Sequence, residues 1–365
     1  MQPNVVRSFP LRPLRAPLTA ALFVMAVATA PVMTPTPAAA ARLGPEVTAH
    51  TGVLMDASTG AVLWQRNEHK PVLIASTTKI LTALVAEHDY PADKVFVVPK
   101  AAENVDGTRF GYQSGMRVKR HDLLTTMLMV SANDAAETLA GAYPRGGRAG
   151  FLTAMQAEAA SLGCTDSTWR DPSGLDAPGH RSSAADLAIL GRALLSRPEL
   201  AKIVATRSTG YRWPDRHIQN ISNHNHFVGY GRDPGALGIK TGYTVAAHST
   251  IVAAQRRGDR TLIAVALGTD HMYNDVRSMF SYGFATRTPA NAPTLGRDSV
   301  SRASSVGPTE VTPVAGSQAS KRASENSGPI LQRVMAAPVP ALATGAIALL
   351  VLGVMVTAFS RSQRR

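Results

Sequence analysis

A single cysteine, Cys164, is all that the 365-residue chain holds. That excludes an internal disulfide framework and leaves stability to the packed core. No thiol motif surrounds Cys164, so its expected role is that of a small buried hydrophobe. Acidic residues are also in short supply, 25 against 38 Lys and Arg, for a formal net charge of +13. The distribution of that excess argues against a nucleic-acid partner. Residues 1–41 hold three arginines and no acid, and the stretch from 286 onward holds nine basic residues against three acidic ones. The long middle is nearly balanced, with no clustered basic face of the kind a nucleic-acid binder needs. His217, His224 and His226 lie close together but lack a clear third-ligand pattern, so a solvated polar loop is expected there and no metal. No internal repeat is evident.

Two runs lack charge altogether. Near the N-terminus Arg7, Arg12 and Arg15 precede LTAALFVMAVATA and a Pro/Ala stretch ending TPAAAA. This order of basic, apolar and small-residue regions predicts a secretory signal peptide over residues 1–41. Pro31, Pro35 and Pro37 break the segment too early for a retained anchor. Near the C-terminus, Ala341 to Phe359 is uncharged over 19 residues and is followed by SRSQRR. A membrane-spanning helix is expected over 334–360, with 361–365 as a basic cytoplasmic tail. Residues 287–333 are rich in Ser, Pro, Ala and Thr, which predicts a disordered linker. Residues 42–286 would then form an exported catalytic domain, tethered to the outer face of the cell membrane by its C-terminus.

That domain begins with TGVLMDASTGAVLWQ, two apolar runs around Ala57–Gly60, and ends with STIVAAQRRGDRTLIAVALG, two runs around Arg256–Arg260. Each reads as a β-hairpin. KILTALVAEH, HDLLTTMLMV, NDAAETLAGAY and AADLAILGRALL lie between them, with apolar residues recurring at three and four. Strands at both ends enclosing a helix-rich middle predict an α+β fold, one antiparallel sheet flanked by helices.

The stretch ASTTK places Ser76 and Lys79 three residues apart at the start of an apolar helical run. If Ser76 begins that helix, Lys79 lies one turn along on the same face. The positive end of the helix dipole and burial both disfavour an ammonium there. A neutral Lys79 can then accept the serine proton, as a poor hydroxyl nucleophile requires. Ser131-Ala132-Asn133 falls between two helical runs, and Lys240-Thr241-Gly242 comes just before the last hairpin, so a strand edge beside the cleft is expected to carry it. Alone, each triplet is commonplace as a cap, turn or strand.

S-x-x-K, S-x-N and K-T-G in that order are the elements of penicillin-binding proteins and serine β-lactamases. From about Thr51 to Phe284 the chain resembles the low-molecular-mass penicillin-binding proteins that act as serine-type D-alanyl-D-alanine carboxypeptidases, peptidase family S11. LMDASTGAVLW, TWRDPSGLD, HRSSAADLAILGRALL, NHNHF and ALGIKTGYT carry the resemblance beside the triplets. It implies the DD-peptidase/β-lactamase-like fold with a helical subdomain. The implied substrate is the D-Ala-D-Ala end of peptidoglycan stem peptides, and β-lactams are the implied inhibitors; no cofactor is implied. Ser76 would form the acyl-enzyme, Lys79 would be its general base, and Ser131 would relay a proton to the leaving D-alanine. Asn133 would hold the substrate amide, and Lys240 and Thr241 the terminal carboxylate. Gly242 completes the triplet, and the N–H groups of Ser76 and Tyr243 would form the oxyanion hole.

The chain departs from the family pattern after K-T-G-Y-T, where Ala246-Ala247-His248 stands in place of a usual Ala-Gly. That puts local strand packing and substrate preference in doubt. The second, β-rich domain of many relatives has no room in the linker. The E-x-x-L-N element by which class A β-lactamases hydrolyse their acyl-enzyme is missing from AEAASLGCTDSTWRDPSGL, which offers only Glu158. Carboxypeptidase is therefore favoured, with crosslink endopeptidase as the alternative. A non-catalytic wall-binding module is disfavoured because no triplet residue is lost.

Overall fold

Both expected hairpins form, and they meet. The structure, a computed structural model, describes residues 44–296 except 214. The expected signal peptide, membrane helix and basic tail, and most of the linker, lie outside the described residues. Strands β1 (Thr51–Asp56) and β2 (Val62–Arg66) come from the first hairpin, and β8 (His248–Arg257) and β9 (Arg260–Thr269) from the second. With β7 (Ala236–Thr244) they make one five-stranded sheet of order β2-β1-β9-β8-β7, antiparallel throughout. Two small ribbons stand apart, β3 (Val95–Val97) with β4 (Arg117–Lys119) and β5 (Ser208–Arg212) with β6 (Ile218–Ser222).

The central strands are apolar at successive positions because both faces of the sheet are covered. Ile251, Ala253, Leu262 and Ala264 point to one face, where Val276, Met279 and Phe280 of α9 (Met272–Ala285) pack on them. Val252, Ala254, Ile263 and Val265 point to the other, into the larger core. That core is built on α1 (Lys79–Asp89), α2 (Lys100–Glu103), α3 (Arg120–Met129), α4 (Asn133–Gly141), α5 (Gly147–Leu162), α6 (Ala184–Leu195) and α7 (Pro198–Ala205). A short α8 (His226–Gly229) leads back towards β7. Each fully buried Val, Leu, Ile or Phe contributes roughly 1.5–3 kcal/mol, so the two-sided sheet is a stiff base for its edge strand β7.

Order extends past the expected domain boundary at 286. Val62 N–H bonds Pro293 C=O at 2.8 Å, Leu295 N–H bonds Gly60 C=O at 2.9 Å, and the Leu295 side chain is 9% exposed. The stretch around Pro293–Leu295, expected to belong to the linker, is therefore held against the first hairpin. Among the described residues no helix is long and apolar enough to cross a membrane. Cys164 is buried and unpaired, as its lack of partners requires.

Candidate active site

Ser76 sits in a single 3-10 turn, Ala75–Thr78, that leads into α1. This corrects the expectation that it opens the α-helix itself. With three residues per turn, positions i and i+3 of a 3-10 helix eclipse, so Lys79 stands directly over Ser76. The turn is anchored by hydroxyls: Thr77 and Thr250 both donate to the Ile74 carbonyl, at 2.7 and 2.9 Å, and Thr78 donates to the Ala75 carbonyl at 2.9 Å. Ala75 has φ +47°, an uncommon value for a residue with a Cβ.

Lys79 is fully buried with its amine among three oxygens: Ser76 Oγ at 2.9 Å, Asn133 Oδ1 at 2.7 Å and the Ser173 carbonyl at 2.5 Å. Burial, followed by the charge of Lys240, holds its pKa well below the ordinary lysine value, against the pull of Asp171, Glu137 and Asp134. A neutral amine has two N–H donors and one lone pair. Asn133 Oδ1 and Ser173 C=O can only accept, and they take both N–H groups. Ser76 alone can donate, so the lone pair of a neutral Lys79 faces the Ser76 hydroxyl.

Asn133 opens α4 and is fixed at both ends of its amide: Nδ2 donates to the Asp106 carbonyl at 2.7 Å while Oδ1 accepts from Lys79. In this structure its side chain is engaged in setting Lys79. Ser131 lies in the short link between α3 and α4 at φ +66°, half-buried. The sequence placed the triplet between two helices, but could not show that strained backbone.

Lys240-Thr241-Gly242 lies on β7, the exposed edge of the sheet beside the nucleophile turn. Lys240 is buried, donates to the Thr241 carbonyl at 2.8 Å, and burial brings its pKa down to about 7. Gly242 is glycine for want of space: a Cβ there would sit 2.6 Å from Ser76 N and 2.6 Å from Thr250 Oγ1. Tyr243, the next residue on β7, is 68% exposed.

Several supporting residues escaped the sequence reading. Asp171 Oδ1 accepts from Ser173 N, Ser173 Oγ, Gly174 N and Leu175 N at 2.6–3.0 Å, folding the loop so that the Ser173 carbonyl meets Lys79. Burial raises the Asp171 pKa, but these donors and Arg148, 2.7 Å from Oδ2, outweigh it and hold the carboxyl below its usual range. His180 is buried, and its Nδ1 accepts from Arg170 N–H at 3.1 Å. Its Nε2–H therefore donates to Thr78 Oγ1 at 2.8 Å, whose own proton goes to Ala75 C=O. Burial takes the His180 pKa down to about 4, which keeps the ring neutral. The Asp-x-Ser turn after Trp169 was the one available signal. A carbonyl acceptor has no side-chain signature at all.

The other residues weighed from sequence lie elsewhere. Glu158 reaches His88 at the far end of α1. His217 stacks on Trp213 and meets Asp215, while His226 stacks against Tyr230 and Tyr273. His248 occupies φ +56°, which explains why glycine suits this position better than any side chain.

A family model described as D-alanyl-D-alanine carboxypeptidase, Peptidase S11, matches residues 36–271. D-alanyl-D-alanine carboxypeptidase DacB2 of Mycobacterium tuberculosis is 35% identical over 259 residues, covering 69% of this chain and 87% of the relative. DacD of Escherichia coli, also a D-alanyl-D-alanine carboxypeptidase, is 34% identical over 238 residues, 62% of this chain and 60% of the longer relative. The crystal structure of a D-alanyl-D-alanine carboxypeptidase from M. tuberculosis H37Rv superposes with a TM-score of 0.65 at 33% identity, over 70% of this chain and 98% of that one.

Proposed function

Since the chain belongs to the Peptidase S11 family of D-alanyl-D-alanine carboxypeptidases, we propose that it removes the terminal D-alanine of peptidoglycan stem pentapeptides through an acyl-enzyme on Ser76, and that β-lactams acylate the same hydroxyl. The observation that carries this is the hydrogen-bond arithmetic at Lys79. Two acceptor-only partners take its N–H groups and turn its lone pair to Ser76. Lys79 takes the hydroxyl proton as Ser76 Oγ attacks the penultimate D-Ala carbonyl. Charge developing on the carbonyl oxygen goes to the N–H groups of Ser76 and Tyr243, a contribution of about 100- to 1000-fold per donor. Ser131 passes a proton to the departing amine as the C–N bond breaks, and water then cleaves the ester. Lys240 and Thr241 hold the terminal carboxylate, and Asn133 orients Lys79 and the substrate amide.

The sequence outside the described residues supports export by residues 1–41 and anchorage by 334–360, with the enzyme outside the membrane. Protease added to intact cells should then digest the folded part. For the chemistry, mass spectrometry of products from a pentapeptide ending in D-Ala-D-Ala should find free D-alanine and the tetrapeptide, and labelled penicillin should attach at Ser76 alone. Ser76→Ala should abolish both. Lys79→Met should slow acylation by about 100- to 10000-fold, the usual worth of a general base. A folded Lys79→Met protein that acylates at the parent rate would refute the mechanism. Cleavage of crosslinked dimers in preference to pentapeptide would assign the endopeptidase activity instead.

A further inference from the structure

At the end of β7, where the K-T-G strand turns into β8, lies a cavity of about 260 Å³ with a cationic wall. His50, Lys70, Arg181 and His248 line it, with Ala246 and Ala247 of the turn, and no acidic residue is part of the lining. Two carboxylates stand near its rim and outside its lining: Asp270 meets His248 Nδ1 at 3.6 Å, and Asp176 accepts from Thr244 Oγ1 at 3.1 Å. Among the described residues neither the Lys70 amine nor the Arg181 guanidinium has an ion pair or hydrogen-bond partner, and both side chains are exposed. His248 holds its imidazole at the cavity on a left-handed backbone, φ +56°. Backbone strain of this kind concentrates where it serves a site.

We propose that this cavity is a subsite for a carboxylate on the acyl side of the substrate, with Arg181 and Lys70 as its cations and His248 at its mouth. This rests on the reading of the active site given above. In that reading β7 gives the substrate a direction: the leaving end lies at Lys240 and Thr241, and the scissile carbonyl lies at Tyr243 N–H. The acyl-side residues must therefore run on past Thr244 towards the turn. His248 pairs directly with Thr244 across the hairpin. At about 3.3 Å per extended residue, the cavity begins within two or three residues of the reacting carbonyl. A guanidinium without a partner in a concave wall is suited to paired hydrogen bonding with a carboxylate. The same wall disfavours a cationic group, since no acidic side chain lines it, and an amide gives up the charge attraction that a carboxylate gains.

The test uses the full chain in detergent and two pentapeptides ending in D-Ala-D-Ala, identical except for one acyl-side side chain that is glutamate in one and glutamine in the other. The parent should favour the acidic peptide in kcat/KM by about tenfold, equivalent to about 1.4 kcal/mol. Raising the salt to about 1 M should erode that preference, since the screening length falls to about 3 Å. The double variant Lys70→Gln/Arg181→Gln should lose the preference, and Arg181→Lys should keep most of it. Labelled penicillin, whose acyl side carries no carboxylate, reports on the catalytic centre separately. A parent that acylates normally with penicillin yet treats the two peptides alike, or a preference that survives the double variant, overturns the subsite and leaves the active-site reading intact. A parent that neither acylates nor hydrolyses overturns the active-site reading, and the subsite with it. If the double variant fails to fold, the salt dependence of the parent's preference decides alone.

Discussion

Replacing Lys240 by Arg tests whether the proposed carboxylate-binding cation is also a titrating group. Burial lowers the Lys240 pKa from 10.5 to about 7, a desolvation penalty of about 5 kcal/mol at 1.36 kcal/mol per unit. In the free enzyme the ammonium is therefore half lost near neutrality and about 99% lost two units higher. A bound carboxylate about 4 Å away restores roughly 4 kcal/mol at an effective dielectric of 20, or about three units. The complex then keeps its charge to about pH 10. Since kcat/KM reports the free enzyme and kcat the complex, kcat/KM should fall tenfold per unit above about pH 7 while kcat holds. Arginine stays protonated throughout, so Lys240→Arg should lack that alkaline limb whatever its absolute rate. The sign at Lys79 agrees, because a permanent charge at position 240 keeps repelling a proton there. Stopped-flow acylation by labelled penicillin and peptide hydrolysis from pH 6 to pH 10 measure both. An alkaline limb that persists unchanged in Lys240→Arg, or is absent from the parent, would refute the assignment.

Gly242→Ala should cut penicillin acylation by about 100-fold or more while the protein still folds, because a Cβ 2.6 Å from Ser76 N must push β7 and the nucleophile turn apart; an acylation rate within threefold of the parent would show the turn to be pliable. His180 is neutral in the folded protein with a pKa of about 4 against 6.5 unfolded. Its depressed value means stability is intact above about pH 6.5 and is lost as pH falls towards 4, by about 3 kcal/mol in total. In His180→Gln that part of the acid loss should vanish, as urea melts at pH 7 and pH 4.5 will show. His248→Gly should leave stability equal to the parent or higher, and His248→Val should lower it by about 1–2 kcal/mol, because a branched Cβ resists the left-handed region that φ +56° requires; thermal melts of the two variants rank them.

The sheet was legible because hairpins announce themselves twice, in paired apolar runs and in the turn between them. Arg256–Arg260 marks the β8–β9 turn and Ala57–Gly60 the β1–β2 turn. The motif residues were legible because each is a distinctive side chain, and the fold brings Ser76, Lys79 and Asn133 into contact and sets Gly242 against Ser76 N. What stayed hidden is carried by backbone. The sign of φ at Ala75 and Ser131, the 3-10 winding of one turn and the Ser173 carbonyl beside Lys79 depend on how distant segments are pressed together. The end of the domain was hidden for the opposite reason. Leu295 is a lone apolar residue in a polar stretch, and no composition argument detects a single docking side chain.

The acceptor arrangement around Lys79 also accounts for how the site returns to its starting state. On the proposed mechanism a neutral amine satisfies two carbonyl-type oxygens before reaction and offers its lone pair to Ser76 Oγ. Once it has taken the serine proton it holds three N–H donors, and the same three oxygens accept them, so neither state leaves a buried polar group unpaired. An unsatisfied group here costs about 1–3 kcal/mol, and more if charged. Burial and the neighbouring Lys240 nevertheless make the charged state the dearer one, and drive the proton onward to the leaving amine. On the proposed mechanism Lys240 would serve twice: its charge would draw the substrate carboxylate in, and neutralisation by that carboxylate would weaken the repulsion on Lys79 as the amine accepts a proton. Arginine at 240 preserves this sequence and glutamine removes it. A Lys240→Gln protein should therefore lose capture of carboxylate substrates while its Lys79 titrates at higher pH than in the parent, a shift readable by 15N-lysine NMR. An unchanged Lys79 titration in that variant would separate the two lysines and leave burial as the sole cause of the low Lys79 pKa.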